Sequence, residues 1–190
     1  MSEELKYNEP WSYSGQIHMY TDTQMEIIIL RHLYLLMTEL CWEGVKTLAG
    51  LKDAEEITVW KKHPEGIMSE HIWAPELHYL DGKWYIYFAG GDKDDVWAIR
   101  PYVLECADTD PLTGVWTEKG KMGRADADEF SFEAFSLDAT VFENKGKHYY
   151  VWAEKVGVGK QISNLYIGEM ESPYKTENCS GTAYNTGLWL

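Results

Sequence analysis

Glu76-Leu-His-Tyr-Leu-Asp-Gly-Lys-Trp-Tyr-Ile-Tyr-Phe88 decides the fold. Two runs rich in aromatic and branched residues flank Asp81-Gly82. An Asp-Gly pair tolerates the positive φ angles of a tight type I′ turn, so the stretch predicts a β-hairpin. Further along, Ala139-Thr-Val-Phe-Glu143 and Lys147-His-Tyr-Tyr-Val-Trp152 repeat the pattern around Asn144-Lys145-Gly146. The copies lie 64 residues apart, from Gly82 to Gly146. Between them, Tyr102-Val-Leu-Glu-Cys-Ala107 and Val115-Trp-Thr-Glu118 read as two more strands, joined by the turn-rich Asp108 to Gly114. A unit of about four short strands that recurs suggests a β-propeller blade with long insertions. A β-sandwich with two similar hairpins is the alternative.

Outward from this core the chain changes character. Thr23 to Leu40 has no turn residues and, at face value, predicts an apolar helix of weak amphipathicity. Such a helix conflicts with a β-repeat, where local preference normally agrees with the fold. A short helix is expected around Lys46 to Glu55.

Composition narrows the function. With 45% apolar and 14% aromatic residues the chain is globular, and 190 residues suit one domain. Nine Trp and thirteen Tyr fit a β-rich core or a surface that stacks on sugar rings. Seventeen basic residues against 31 acidic give a net charge of −14, which argues against nucleic acid and anionic membranes as partners. No apolar run is long enough for a membrane-spanning helix. The first residues lack the pattern of a signal peptide, and Cys41, Cys106 and Cys179 are odd in number without CxxC spacing. Together these features lead to the expectation of a cytoplasmic protein.

Three segments carry a family resemblance. His71-Ile-Trp-Ala-Pro-Glu-Leu-His78, Tyr102 through Trp116, and Phe135-Ser-Leu-Asp-Ala-Thr-Val-Phe142 resemble, in order, segments of glycoside hydrolase family 43, the arabinofuranosidases and xylosidases. The resemblance runs from about Val45 to Thr176. It implies an all-β, five-bladed propeller, of which residues 1–190 form a single partial catalytic domain of about two to three blades. It also implies inverting hydrolysis of terminal α-L-arabinofuranosyl or β-D-xylosyl bonds in plant-derived oligosaccharides, with no cofactor. Inversion needs a base to activate water and a protonated acid, their carboxyls about 6.5–9.5 Å apart. A third carboxylate keeps the acid protonated.

Asp138 stands where the family's pKa-adjusting Asp is expected, although an Asp there could instead cap a turn before the next strand. By the same resemblance Trp73, Glu76 and Leu137 are candidate substrate-binding residues; packing is the alternative for Trp73, and a plain surface carboxylate for Glu76. Arg100 and Arg124 are weaker candidates for sugar hydroxyls. No metal site is expected: the acidic loops at Asp92, Asp94 and Asp95 and at Asp126, Asp128 and Glu129 are read as solvated. The six His show no ligand spacing, and His71 and His78 are read as packing or hydrogen-bonded residues.

The family's general base belongs in an Arg-Ala-Asp-Pro segment near the N-terminus, and none is printed. Shifting the triplets of Met25-Glu-Ile-Ile-Ile-Leu30 permits Asp-Gly-Asn-Tyr-Tyr-Phe, a third hairpin. The same shift over Trp11 to His18 permits Leu-Val-Val-Gln-Arg-Ala-Asp-Pro. Residues 11–44 are therefore expected to be out of frame, and residues 177–190 in the other sense. The general acid is expected beyond the printed residues, so the chain as printed is expected to be inactive. A carbohydrate-binding or interaction propeller without catalysis is the second class; a related clan acting on fructosyl linkages is a distant third.

Overall fold

A computed structural model describes residues 15–22, 27–33, 39–44, 53, 55–155 and 164–179. Among these, twelve strands form three four-stranded antiparallel sheets, each a meander in chain order. The first sheet holds β1 (Gly15–Asp22), β2 (Ile27–Leu33), β3 (Glu39–Gly44) and β4 (Glu56–Lys61). The second holds β5 (Glu70–Leu80), β6 (Lys83–Asp92), β7 (Asp95–Cys106) and β8 (Trp116–Lys121). The third holds β9 (Ser136–Asn144), β10 (Lys147–Glu154), β11 (Asn164–Ser172) and β12 (Lys175–Cys179). First strands neighbour first strands: β1 packs beside β5, and β5 beside β9. That radial arrangement is how propeller blades meet.

The two predicted hairpins form as read. Leu80 pairs with Lys83 across Asp81 (φ 51°) and Gly82 (φ 83°). Asn144 pairs with Lys147 across Lys145 (φ 54°) and Gly146 (φ 75°), so this turn has two residues, with Asn144 closing the strand. Two consecutive positive φ angles are the type I′ requirement. The helix expected over Thr23 to Leu40 is overturned, because β2 and the start of β3 occupy much of it. Three successive isoleucines, Ile27 to Ile29, favour a pleated strand, and β1 and β3 supply hydrogen-bonding partners on either side. The short helix expected at Lys46 to Glu55 lies outside the described residues, apart from Asp53 and Glu55.

β6 explains how the sheets stack. Trp84, Ile86 and Phe88 point into one core, with Leu40 and Trp60 of the first sheet. Tyr85 and Tyr87 point into the other, with Phe132, Val141, Tyr150 and Trp152. Alternate residues of one strand thus bury against different neighbours, so its sequence is apolar on both faces. Two links tie the second and third sheets further. The Tyr87 hydroxyl donates to the Pro173 carbonyl at 2.6 Å. Gly123, after β8, exchanges backbone hydrogen bonds with Tyr174 and Thr176.

Candidate active site

The candidate residues sit on β5 and β9, neighbouring first strands with the same irregularity. Pro75 cannot donate to the ladder, and the β5–β6 register slips between Trp73 and Glu76, with Ala74 at φ 44°. Sixty-four residues on, the β9–β10 register slips between Leu137 and Thr140, with Asp138 at φ 51°. The strand entries match too, with Met68 at φ 58° and Phe132 at φ 63°. Aspartate tolerates the left-handed region better than most residues. Asp138 therefore lies inside a strand, at the bulge, with its side chain exposed, and not in a turn before the strand.

Trp73 is half-buried, with the His71 ring 4.7 Å away. Glu76 pairs in register with Tyr87, and its Oε2 lies 3.2 Å from His78 Nε2. His78 is buried and its ring meets Tyr87 edge-on at 5.6 Å. Tyr150 completes this interior cluster. Burial, and secondarily the Glu76 carboxylate, push its phenol well above the ordinary range. Its hydroxyl is buried and has no protein partner. Leu137 is half-buried beside Asp138. The structure thus brings the strands of all four candidates together.

Sequence reasoning missed Glu154. It is fully buried, and its carboxylate accepts the Phe132 N–H at 2.9 Å, the Ala134 N–H at 2.9 Å and the Trp152 indole N–H at 2.8 Å. This clamps the segment that leads into β9 and Asp138. Period-two counting from Tyr150 and Trp152 would have placed Glu154 on the buried face. The two arginines are braces of the same segment. Arg100 donates to the carbonyls of Ile99, Trp97 and Glu133. Arg124 donates to the Ser131 carbonyl at 2.7 Å and pairs with Glu133 at 2.8 Å.

Three carboxylates of the acidic loops accept hydrogen bonds from nearby residues. Asp92 accepts the Asp94 N–H, and Asp95 the Trp97 N–H. Asp128 accepts from Phe130, from Ser131 N–H and from the Ser131 hydroxyl. Among the described residues no His, Cys, Asp or Glu cluster is arranged to hold a metal ion.

Comparison with known proteins gives the family of the chain. The sequence model described as "Glycosyl hydrolases family 43" matches residues 40–187. An extracellular exo-alpha-(1->5)-L-arabinofuranosidase of Streptomyces avermitilis is 48% identical over 128 residues, covering 67% of this chain and 25% of that protein. A protein of the same name from Streptomyces chartreusis is 45% identical over 129 residues, covering 68% of this chain and 38% of that one. The crystal structure of an alpha-L-arabinofuranosidase from Lactobacillus brevis superposes with a TM-score of 0.73 at 39% identity, covering 87% of this chain and 51% of that one. The chain therefore spans well under two thirds of the length of these relatives.

Both Streptomyces proteins are named extracellular, which overturns the expectation of a cytoplasmic protein. The cysteine count misled for a physical reason. Cys41 and Cys106 are buried thiols, and burial pushes Cys41 up to about 11 and Cys106 in the same direction. Thiols packed away as small apolar groups say nothing about the redox state of their surroundings.

Proposed function

Because this chain belongs to glycosyl hydrolase family 43, we propose that the protein it represents removes terminal α-L-arabinofuranosyl units from plant-derived oligosaccharides, with inversion. The two Streptomyces relatives named as exo-acting arabinofuranosidases support arabinose as the first choice and a site outside the cell. Terminal β-D-xylosyl units are the second substrate.

The observation that carries the proposal is Asp138, an exposed carboxylate on a bulge of β9, beside the strand that bears Trp73 and Glu76. In the proposed mechanism one carboxyl protonates the leaving oxygen while another activates water on the opposite face of the sugar. Asp138 supplies the third charge. A like charge nearby disfavours ionisation of the acid and so keeps its proton available at neutral pH. Trp73 offers an apolar face to the sugar, and Leu137 packs at its edge. Glu76, tied to His78, holds the strand beneath.

Asp138→Asn in the whole protein, assayed on aryl arabinofuranosides and xylosides, tests the role. Loss of the charge is expected to lower kcat roughly 100-fold while KM changes little. An unchanged kcat would remove Asp138 from the mechanism. Release of the inverted anomer, followed by proton NMR, checks the stereochemistry.

We further infer that the three sheets are three of five blades around a central funnel, which the adjacency of β1, β5 and β9 supports. Of the three carboxylates, the printed residues hold Asp138 alone, so the 190-residue chain is proposed to bind sugar without turning it over. A carbohydrate-binding propeller is the second reading, favoured by exposed aromatic side chains such as Trp97. Residues 11–44 and 177–190 are proposed to be out of frame. The family match beginning at residue 40 supports the first shift, whereas its extension to 187 speaks against the second. Sequencing the encoding DNA tests both, since codons incompatible with the shifted triplets would refute them.

A further inference from the structure

We propose that Trp97 is a second sugar platform, at the rim of the candidate site, which takes a neutral pentosyl ring one or two units from the terminal residue. The proposal rests on the glycosidase reading above. Trp97 is 63% exposed and Val96 beside it 56% exposed, at the tip of the second sheet, directly after the charged run from Asp92 to Asp95. Together the two side chains form a small exposed apolar patch bordered by charged residues.

The backbone that carries the ring is held in place. Asp95 Oδ1 accepts the Trp97 backbone N–H at 3.0 Å, and the Arg100 guanidinium donates to the Trp97 carbonyl at 3.2 Å. Arg100 also reaches the Glu133 carbonyl, which fixes this tip to the segment entering β9. Phe135 meets the indole at 63°, with ring centres 6.0 Å apart. Phe135 lies three residues before Asp138, so the indole stands at the same end of the third sheet as the bulge. A rigid aromatic at a rim contributes binding with little ordering cost.

Local chemistry selects the ligand. The Lys155 ammonium sits over the indole ring, 4.3 Å from its centre, and covers part of one face. The remaining exposed indole surface beside a three-donor cation matches a sugar ring, which offers a C–H face and hydroxyl acceptors. Asp92, Asp94 and Asp95, with a chain charge of −14, repel anionic ligands. Two exposed apolar residues are far too small an area for a stable protein interface.

Isothermal titration of the intact chain with arabinose and with α-1,5-arabinobiose and arabinotriose, and with the xylose series, tests the proposal. For the preferred pentose, affinity is expected to rise about tenfold from monosaccharide to trisaccharide. Trp97→Ala should abolish that rise while leaving monosaccharide affinity unchanged and the chain folded with a cooperative melting curve, and Trp97→Phe should recover most of it. Equal trisaccharide binding by Trp97→Ala and the unaltered chain would overturn the platform and leave the glycosidase reading standing. Absence of binding by the unaltered chain to every sugar would overturn both.

Discussion

Glu154 is the most informative residue to perturb, because its three bonds join the third sheet to the segment that carries Asp138. Oε2 accepts from Phe132 and from the Trp152 indole, and Oε1 from Ala134. Glu154→Ala leaves three N–H groups without their acceptor. At about 1–3 kcal/mol for each buried orphan, with the smallest share for half-buried Ala134, the loss comes to roughly 3–6 kcal/mol. For a chain of this size that corresponds to a fall in Tm on the order of 10 °C. Glu154→Gln keeps the shape and can keep an acceptor at the Oε2 position. It then loses only the Ala134 bond, at a cost of about 1–2 kcal/mol. Urea unfolding of both variants, read through the midpoint at constant slope, gives the two numbers. The reasoning fails if Glu154→Ala costs less than about 1 kcal/mol, or if Gln and Ala cost the same.

Other perturbations read separate parts of the fold. Burial pushes the Asp128 carboxyl up, but the Ser131 hydroxyl and N–H, the Phe130 N–H and Arg124 together hold it below its ordinary value of 3.8. Its stabilisation is therefore complete above that value and is lost as pH falls through the lowered one. Asp128→Asn should be less stable than the parent at pH 7, with the gap in urea midpoints closing from about pH 4 downward. Tyr150→Phe removes a buried hydroxyl without a protein partner and should leave stability within about 1 kcal/mol or raise it; a larger loss by the same assay would mean that the hydroxyl is satisfied. Ala74→Gly relieves a left-handed backbone worth about 1–2 kcal/mol against about 0.5–1 kcal/mol of added chain entropy, so its urea midpoint should hold or rise.

What the sequence revealed was the part governed by local rules. Asp81-Gly82 specifies a tight turn by itself, and the aromatic and branched run of Lys83 to Phe88 specifies a strand. Both were legible from residue type and spacing. Ile27 to Leu33 was not, because an apolar run with no turn residue suits either helix or strand, and β1 and β3 decide between them. Asp138 was found through its neighbours in the chain, but its bulge was invisible, since a register slip exists only against a partner strand. Trp97 went unnoticed because nothing in Asp95-Val96-Trp97 distinguishes an exposed tryptophan from a buried one.

The 64-residue repeat explains why the third sheet, and not the second, carries the candidate carboxylate. Both sheets have the same entry conformation, the same bulge and the same turn, so the scaffold is common to them. Two of the equivalent positions at which they differ bear on the carboxylate. At the bulge the second sheet has Ala74 and the third Asp138. At the end of the second strand the second sheet has Gly90 and the third Glu154. A Cβ on Gly90 would come within 3.1 Å of Tyr102 and 3.3 Å of Met68, so that space is already filled by packing. In the third sheet the equivalent space holds a carboxylate, which fixes Phe132 and Ala134 by hydrogen bonds instead. Apolar packing tolerates small slides of the entry segment, whereas three directional bonds do not. A segment that must hold a charge in one place relative to a sugar gains from the second arrangement, and a segment that only has to pack does not. On the proposed role, Asp138 and the Glu154 clamp therefore belong to one unit, set on a frame that the neighbouring sheet fills by apolar packing at the equivalent position.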